Sequence, residues 1–568
     1  MRNRSHWLLF SICATVLGVT LILPILIVVR GGFWVEGQFT WRYLRGVFEN
    51  PIYAEGLANS LLIAIGTTSL ALLLSVPLAW ISHRYDFPGK RVWTAGILVP
   101  MILPPFVGAI GLTQILGQYG ALNALLGLGP IDWLGKSRYA GVVILQSLGL
   151  YPILYLNIVA ALANVDPAME EAAANLGCGG LRRFWRITLP LIMPGLFAGG
   201  TIVFIWSFTE LGAPLILNYT ECASVQVFDA LKEVGSNPFP YALVTVVLVC
   251  SVLLYAFGRG IFGRRYYAMQ GKASIAHSAQ SLRGWRGTVA TLPFVLVALL
   301  ALAPHAGVVL TSFTPPGGWY RTLLPTAFSG INYVEALGHE MTVSSIRNSL
   351  GFSALAVVAN LVLGLAVAWL VVRSRNPLRG LLDTLAMVPL AVPGLVMAFG
   401  YLALSSHLSH TAFVQANPAW AALVDVRVNP TLFLVIAYAV RRLPYMVRSA
   451  VAGLQQTSVA FEEAAANLGA RPWVSLRRVT LPLIMANLTA GILLVFAFSM
   501  LEVSDSLMLA QQAERFPITK TIYELFQLLG TGRYVAAALG VWAMLFLAVT
   551  IVGASLLLGR KLGALFRA

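Results

Sequence analysis

The sequence predicts an all-α polytopic membrane protein with about twelve transmembrane helices, arranged as two parallel six-helix repeats. Three observations carry that expectation. Of 568 residues, 58% are hydrophobic and 11% are charged, whereas an average soluble protein is roughly 25% charged. The apolar residues gather in runs of about 20, the length a spanning helix needs. The octet EEAAANLG occurs twice, at Glu170–Gly177 and Glu462–Gly469, 292 residues apart.

A chain this poor in charge cannot cover a globule with polar surface, so the bilayer is its solvent. The net charge of +16 would suggest nucleic acid in a soluble protein. Here Lys and Arg sit in short clusters between apolar runs, so no nucleic-acid partner is expected. Cys13, Cys178, Cys222 and Cys250 show no metal-ligand spacing and no obvious pairing, and no metal site is expected. Arg2 and Arg4 precede the apolar run Trp7–Val29. That run is too long for a signal peptide and lacks a small-residue cleavage site, so it reads as a retained first span.

The candidate spans of the first half are 7–29, 57–82, 92–117, 140–163, 191–216 and 240–258. Those of the second half are 288–312, 347–372, 381–405, 430–452, 483–510 and 534–558. Such continuous runs exclude a barrel, whose strands alternate. Basic clusters fall in alternate loops: Arg84, Lys90 and Arg91; Arg182, Arg183 and Arg186; Arg264, Arg265 and Lys272; Arg373, Arg375 and Arg379; Arg477 and Arg478; Arg560, Lys561 and Arg567. By the positive-inside rule these loops and both termini are cytoplasmic. Both octets lie on that side.

The repeat extends beyond the octets. Asn59-Ser60, Trp80, Arg84, Pro100 and Pro104 recur 289 residues later as Asn348-Ser349, Trp369, Arg373, Pro389 and Pro393. Pro152, Phe204 and Glu210 recur 292 residues later as Pro444, Phe496 and Glu502. One three-residue indel accounts for the change. An even number of spans per half gives both copies the same topology, related by an axis along the membrane normal. The expected division is a first repeat 1–262 with its octet loop 166–190, a cytoplasmic linker 263–287, and a second repeat 288–568 with its octet loop 458–482.

Each octet reads as a short helix. Asp166 is a good N-cap and Pro167 suits the first helical position. Glu170 and Glu171 complement the positive end of the helix dipole. The alanines favour helix, and Gly177 can take the left-handed conformation that ends it. Ser458 replaces the aspartate as cap in the second copy. The result is a small, acidic stub of two or three turns that another backbone can approach closely. A solvated amphipathic turn would look similar once. Two copies with the same flanks on the same side indicate a docking element.

The longer pattern resembles a known family. Glu171-Ala172-Ala173, three residues, Gly177, nine residues, Ile187, one residue and Leu189-Pro190 is similar to the EAA signature of binding-protein-dependent ABC importer permeases. The second copy, Glu463-Ala464-Ala465, Gly469, Val479 and Leu481-Pro482, departs only by Val479 for Ile. The resemblance implies the type I importer permease fold, with the stub acting as a coupling helix on a cytoplasmic ATPase subunit. Glu170, Glu171, Ala172, Ala173 and Gly177, with Glu462, Glu463, Ala464, Ala465 and Gly469, would make that contact. It further implies two ATPase copies that bind ATP and Mg, a periplasmic or extracellular solute-binding protein, and a bacterial inner membrane. The chain itself would hold no cofactor and catalyse nothing. The nearest stretch to a phosphate loop, Pro130 to Ser137 with Gly135-Lys136, lacks the first glycine of that cradle.

Ionisable residues at membrane depth are functional candidates. Glu210 and Glu502 are equivalent, Asp505 lies one turn past Glu502, and Arg441, Arg442 and Arg448 flank Pro444. Two readings stay open. Either the carboxylates and arginines line the translocation pathway, or they pair with one another and cap broken helices. The prolines near these spans are bending points or repaired kinks.

The fused two-half arrangement resembles the ferric-iron permeases most, through Phe208-Thr-Glu-Leu-Gly-Ala-Pro-Leu, Ser236-Asn-Pro-Phe-Pro-Tyr-Ala-Leu and Arg441-Arg-Leu-Pro-Tyr-Met-Val-Arg448. The resemblance leaves thiamine, polyamine, phosphonate and other oxyanions as alternatives. A secondary transporter driven by an ion gradient is the competing class. It would use the carboxylates as ion sites and would not need the octets. A scaffold that transports nothing would not need the matched carboxylates. An enzyme would need a catalytic cluster of His, Cys or carboxylates, and none has the spacing.

Overall fold

A computed structural model describes residues 2–35, 37–101, 103–135, 138–234, 237–262 and 280–558. Most of the expected linker, 263–279, lies outside the described residues, as do Lys136, Ser137, Arg560, Lys561 and Arg567.

The chain is almost entirely helical. Nine helices among the described residues are long and apolar enough to cross a membrane. Two further spans are bent pairs. Lys90–Met101 and Pro105–Leu126 meet at 98°, and Arg379–Ala391 and Gly394–Ser409 meet at 102°. The expected straight spans 92–117 and 381–405 are thereby corrected. The bends fall at Pro104 and Pro393, which each supply a fixed φ and no N–H, so the preceding helix cannot continue. A twelfth long helix, Thr431–Gln456, carries Arg441, Arg442 and Arg448. Its charge, not its length, separates it from the others. Pro152 and Pro444 sit inside unbroken helices.

The expected spans 191–216 and 483–510 are also corrected. Each is a helix that stops short, Leu189–Phe208 and Leu481–Met500. Each then breaks, at Thr209–Leu211 and Leu501–Val503, and resumes as a short helix, Gly212–Ile216 and Ser504–Leu509. Both breaks are centred on the repeated glutamate.

The two repeats exchange their first spans. Phe10, Cys13 and Leu17 of the first span pack with Val367, Leu370, Leu443 and Met446 of the second repeat. Tyr401 donates to the Thr20 carbonyl across this contact at 2.8 Å. Conversely, Ala290, Phe294, Val297 and Ala301 of the seventh span join Leu78, Tyr151 and Leu154 of the first repeat. The seventh span crosses the third with Gly307 against the Gly111 backbone, where a Cβ would collide. Small residues let helices approach closely when lipid supplies no hydrophobic drive between them. The end of the linker follows the same exchange, since Gln280-Ser281 pairs in parallel with Tyr85-Asp86 of the first repeat. The first span of each sequence copy thus packs against the other copy.

Candidate functional site

Each octet folds as expected. Pro167–Asn175 is a nine-residue helix, and Asp166 accepts from the Ala168 N–H at 2.9 Å. Ala460–Asn467 is its counterpart, and Ser458 accepts from the Ala460 N–H at 3.3 Å. Both stubs end in the same motif. Cys178 N–H donates to the Ala173 carbonyl and Gly177 N–H to Ala174, at 2.9 Å each. Ala470 and Gly469 repeat these bonds to Ala465 and Ala466 at 3.0 and 2.9 Å. Gly177 and Gly469 have φ of +76° and +82°, the left-handed cap that a Cβ would penalise.

The paired glutamates of each octet divide. Glu170 turns back toward the membrane body, accepts from the Thr188 hydroxyl at 2.6 Å and lies 3.7 Å from Arg84. Glu462 accepts from Thr480 at 3.2 Å and pairs with Arg373 at 3.1 Å. Arg373 also donates to the carbonyls of Leu454 and Thr457 at the foot of the preceding span. Glu171 and Glu463 face outward, beside exposed Ala172 and Ala464. Ala173 is buried and Ala465 half-buried. Leu176 and Leu468 stand 88% and 90% exposed at the tips. Each stub thus offers one carboxylate and one apolar knob, and its second carboxylate ties it to the second span of its own repeat. Arg84, Arg373, Thr188 and Thr480 were not among the expected site residues. Their matched spacing, 289 and 292, was the available signal.

After each stub the chain enters a wide π-helical turn, Phe184–Thr188 and Leu476–Thr480, and then the span carrying the break. The threonine that holds the octet glutamate closes that turn. A continuous helix, Gly180–Phe208 or Pro472–Met500, therefore runs from the end of each stub to its break.

At the breaks the two repeats differ. Glu210 Oε1 accepts from the N–H groups of Gly212 and Ala213 at 3.1 and 3.4 Å, capping the short helix that follows. Glu502 instead pairs with Arg441 at 2.5 Å and with Arg442. Asp505 takes the other side of Arg441 at 3.4 Å. Glu502 is 4% exposed and Asp505 is fully buried. The positions equivalent to Arg441, Arg442 and Asp505 are Gly149, Leu150 and Ala213. The breaks meet across the molecule, for a Cβ on Gly212 would lie 2.9 Å from Val503. No group of three His, Cys, Asp or Glu side chains among the described residues could hold a metal.

A family of proteins matches this architecture twice. The binding-protein-dependent transport system inner membrane component matches residues 71–266 and again 360–558. The chain belongs to this family. This permease is similar to the Fe(3+)-transport system permease protein FbpB 2 of Haemophilus influenzae, 26% identical over 515 residues, which are 89% of this chain and 90% of that one. It is similar to the ferric transport system permease protein FbpB of Actinobacillus pleuropneumoniae, 26% identical over 476 residues, 81% of this chain and 64% of that one. A stretch of 164 residues is similar to the molybdenum transport system permease protein ModB of Escherichia coli, 34% identical, covering 28% of this chain and 70% of that one. This chain is the multi-pass inner-membrane permease of a binding-protein-dependent importer. Permeases of this family work with a binding protein and with ATPase subunits.

Proposed function

We propose that this permease moves ferric iron inward, driven by two copies of a cytoplasmic ATPase, one on each octet stub. The likeness to ferric permeases along nine-tenths of the chain supports the cargo. The observation that carries the coupling is the pair of outward stubs, Glu171 with Leu176 and Glu463 with Leu468, on one polypeptide. One chain supplies both docking points, so the assembly is one permease to two ATPase subunits. Ala172, Ala464, Ala173 and Ala465 keep each stub slim enough to enter a groove, and Gly177 and Gly469 end it. Glu170 and Glu462 hold the stubs in place. The stubs face the cytoplasm with both termini, and ATP and Mg belong to the ATPase.

Closure of the ATPase pair pulls the stubs together. The π-turn and the broken span carry that movement to Glu210 and Glu502, where the repeats touch. Of the carboxylates at the two breaks, Glu502 and Asp505 are ion-paired whereas Glu210 bonds backbone N–H groups, so Glu210 is the pathway residue offered to a cationic cargo. Glu502, Asp505, Arg441 and Arg442 fix the opposite wall.

The test is uptake by proteoliposomes holding the permease, the ATPase and the neighbouring binding protein, with ferric iron and molybdate offered separately. ATP-dependent iron accumulation is expected. Accumulation of molybdate without iron would overturn the cargo, and ion-driven uptake by the permease alone would overturn the coupling. Native mass spectrometry of the complex should give a one-to-two ratio.

A further inference from the structure

The first span turns one face to lipid. It is helical from Arg2 to Phe33, through a π-turn at Gly18–Ile22. Leu8, Ile12, Val16, Val19, Leu23 and Leu26 recur along it every three or four residues, and all six are exposed. That is the spacing of a single helical stripe. The stripe continues through exposed Arg30 to exposed Trp34, one turn further on. Trp7 and Trp34 lie 27 residues apart, roughly 40 Å of helix and about the thickness of a bilayer with its headgroups. Tryptophan favours both of those boundaries. Trp34 therefore stands at the level of the outer headgroups.

At that level the chain turns back as a hairpin. Trp34 pairs with Phe39 and Val35 with Gln38 in an antiparallel ladder. Gly37 turns the chain with φ of +78°, and Thr40 N–H donates to the Phe33 carbonyl at 2.8 Å. Four rings close on one another. Phe33 stacks on Phe39 at 5.7 Å, and Trp34 meets Phe39 at 5.0 Å. Trp41 lies edge-on to Phe33 at 4.9 Å and to Phe39 at 5.6 Å. The chain leaves this cluster uncovered, for Trp34, Phe39 and Trp41 are 52%, 51% and 61% exposed. An apolar cluster facing water is costly. Indoles suit a layer that is apolar on one side and wet on the other.

Two cations flank the rings. Arg30 and Arg42 are exposed, and neither has an ion pair among the described residues. A guanidinium on an apolar surface reaches toward phosphate and binds it bidentately. The second repeat has no counterpart to this hairpin. Its matching outer loop folds over the first repeat, where Trp319 is buried and its carbonyl accepts from the Gln114 amide at 2.7 Å. The first span also touches both repeats near its outer end. Gly32 packs against Thr245 of the first, and Pro24 packs against Gly400 of the second.

We propose that the hairpin of Trp34–Val35 and Gln38–Phe39 docks into the outer headgroup layer of the bilayer. Its rings sit among the headgroups, and Arg30 and Arg42 take phospholipid phosphates. The partner is lipid and not a docked protein, because the lipid-facing stripe runs directly into the exposed rings. Docking fixes the depth of a span that both repeats share. The proposal is independent of the cargo.

The experiment places the full permease–ATPase complex in nanodiscs of phosphatidylethanolamine and phosphatidylglycerol. A trace of phospholipid carries a diazirine in its headgroup, and mass spectrometry locates the adducts after irradiation. Lipid adducts at Gln38 and Thr40 are expected in the wild type. The triple variant Trp34→Ser, Phe39→Ser and Trp41→Ser should lower them about fivefold or more. Arg30→Gln with Arg42→Gln leaves the packed rings alone and should lower them about threefold or more. A water-soluble carbene reagent should label the hairpin weakly in the wild type and strongly in both variants. If lipid adducts are absent from the wild-type hairpin, or persist undiminished in either variant, the proposal fails. If lipid adducts are missing and added binding protein shields the hairpin from the aqueous reagent, the partner is a protein and the proposal is overturned.

Discussion

The two broken spans solve one backbone problem in two ways. A helix that stops at membrane depth leaves carbonyl and N–H groups without partners. In the first repeat Glu210 repairs the break locally, by capping Gly212 and Ala213. In the second, Glu502 is taken up by Arg441 and Arg442, and its carbonyl accepts from Ser506 and Thr519 instead. The chain thus ties one break's carboxylate to backbone and the other's to two arginines. A fused permease can afford this division, because its halves need not be interchangeable.

The largest effect should follow from breaking the locked side. Arg442→Ala or Glu502→Ala leaves an uncompensated buried charge, with an expected loss of about 3–5 kcal/mol. Glu210→Ala removes a cap alone and should cost about 1 kcal/mol. Thermal unfolding of detergent-purified protein measures both. Equal losses would erase the contrast between the halves. Glu210→Gln should keep the melting temperature and lower iron uptake in proteoliposomes, whereas Glu502→Gln should lower both.

A second comparison lies within each octet, between the outward and the inward glutamate. Glu171→Lys and Glu463→Lys should each weaken ATPase association by about 2 kcal/mol or more, as expected for a charged anchor at an interface centre. Their melting temperatures should not move. Glu462→Ala should loosen the stub by releasing it from Arg373 and Thr480, and Thr480→Val should do so to a lesser degree. Co-purification with the ATPase and binding-protein-stimulated ATP hydrolysis separate the two classes. If the inward glutamates matter more to association than the outward ones, the division of labour is reversed.

Much of this was legible in the sequence. Hydropathy placed the twelve long segments, because burying apolar length in lipid leaves few alternatives. The octet revealed its cap, its helix and its glycine stop, all local chemistry. What the sequence hid was non-local. The breaks at Glu210 and Glu502 stayed one of two open readings of those carboxylates, because nothing in Leu501 or Val503 stops a helix. The exchange of first spans also left no periodic trace, since Phe10 and Leu17 are equally apolar against either repeat. Arg84 and Arg373 were visible as matched positions, but the partner that gives them meaning lies more than 80 residues away.

The smallest contrast separates the two stop glycines from the residues beside them. Gly177 and Gly469 stand in open space, so a Cβ there meets nothing and only backbone strain is lost or gained. Gly177→Ala and Gly469→Ala should therefore each cost about 1 kcal/mol, and Asn less, because Asn enters the left-handed region more easily. The loss should appear as fraying of the stub in hydrogen exchange at the Cys178 and Ala470 amides, the donors of the closing bonds, with no change in overall melting. Leu176→Ser and Leu468→Ser leave the backbone alone and should spare that protection while weakening ATPase capture. If the glycine variants reduce capture and leave exchange unchanged, the glycines contact the partner directly, and the stub's end is part of the docking surface as well as its stop.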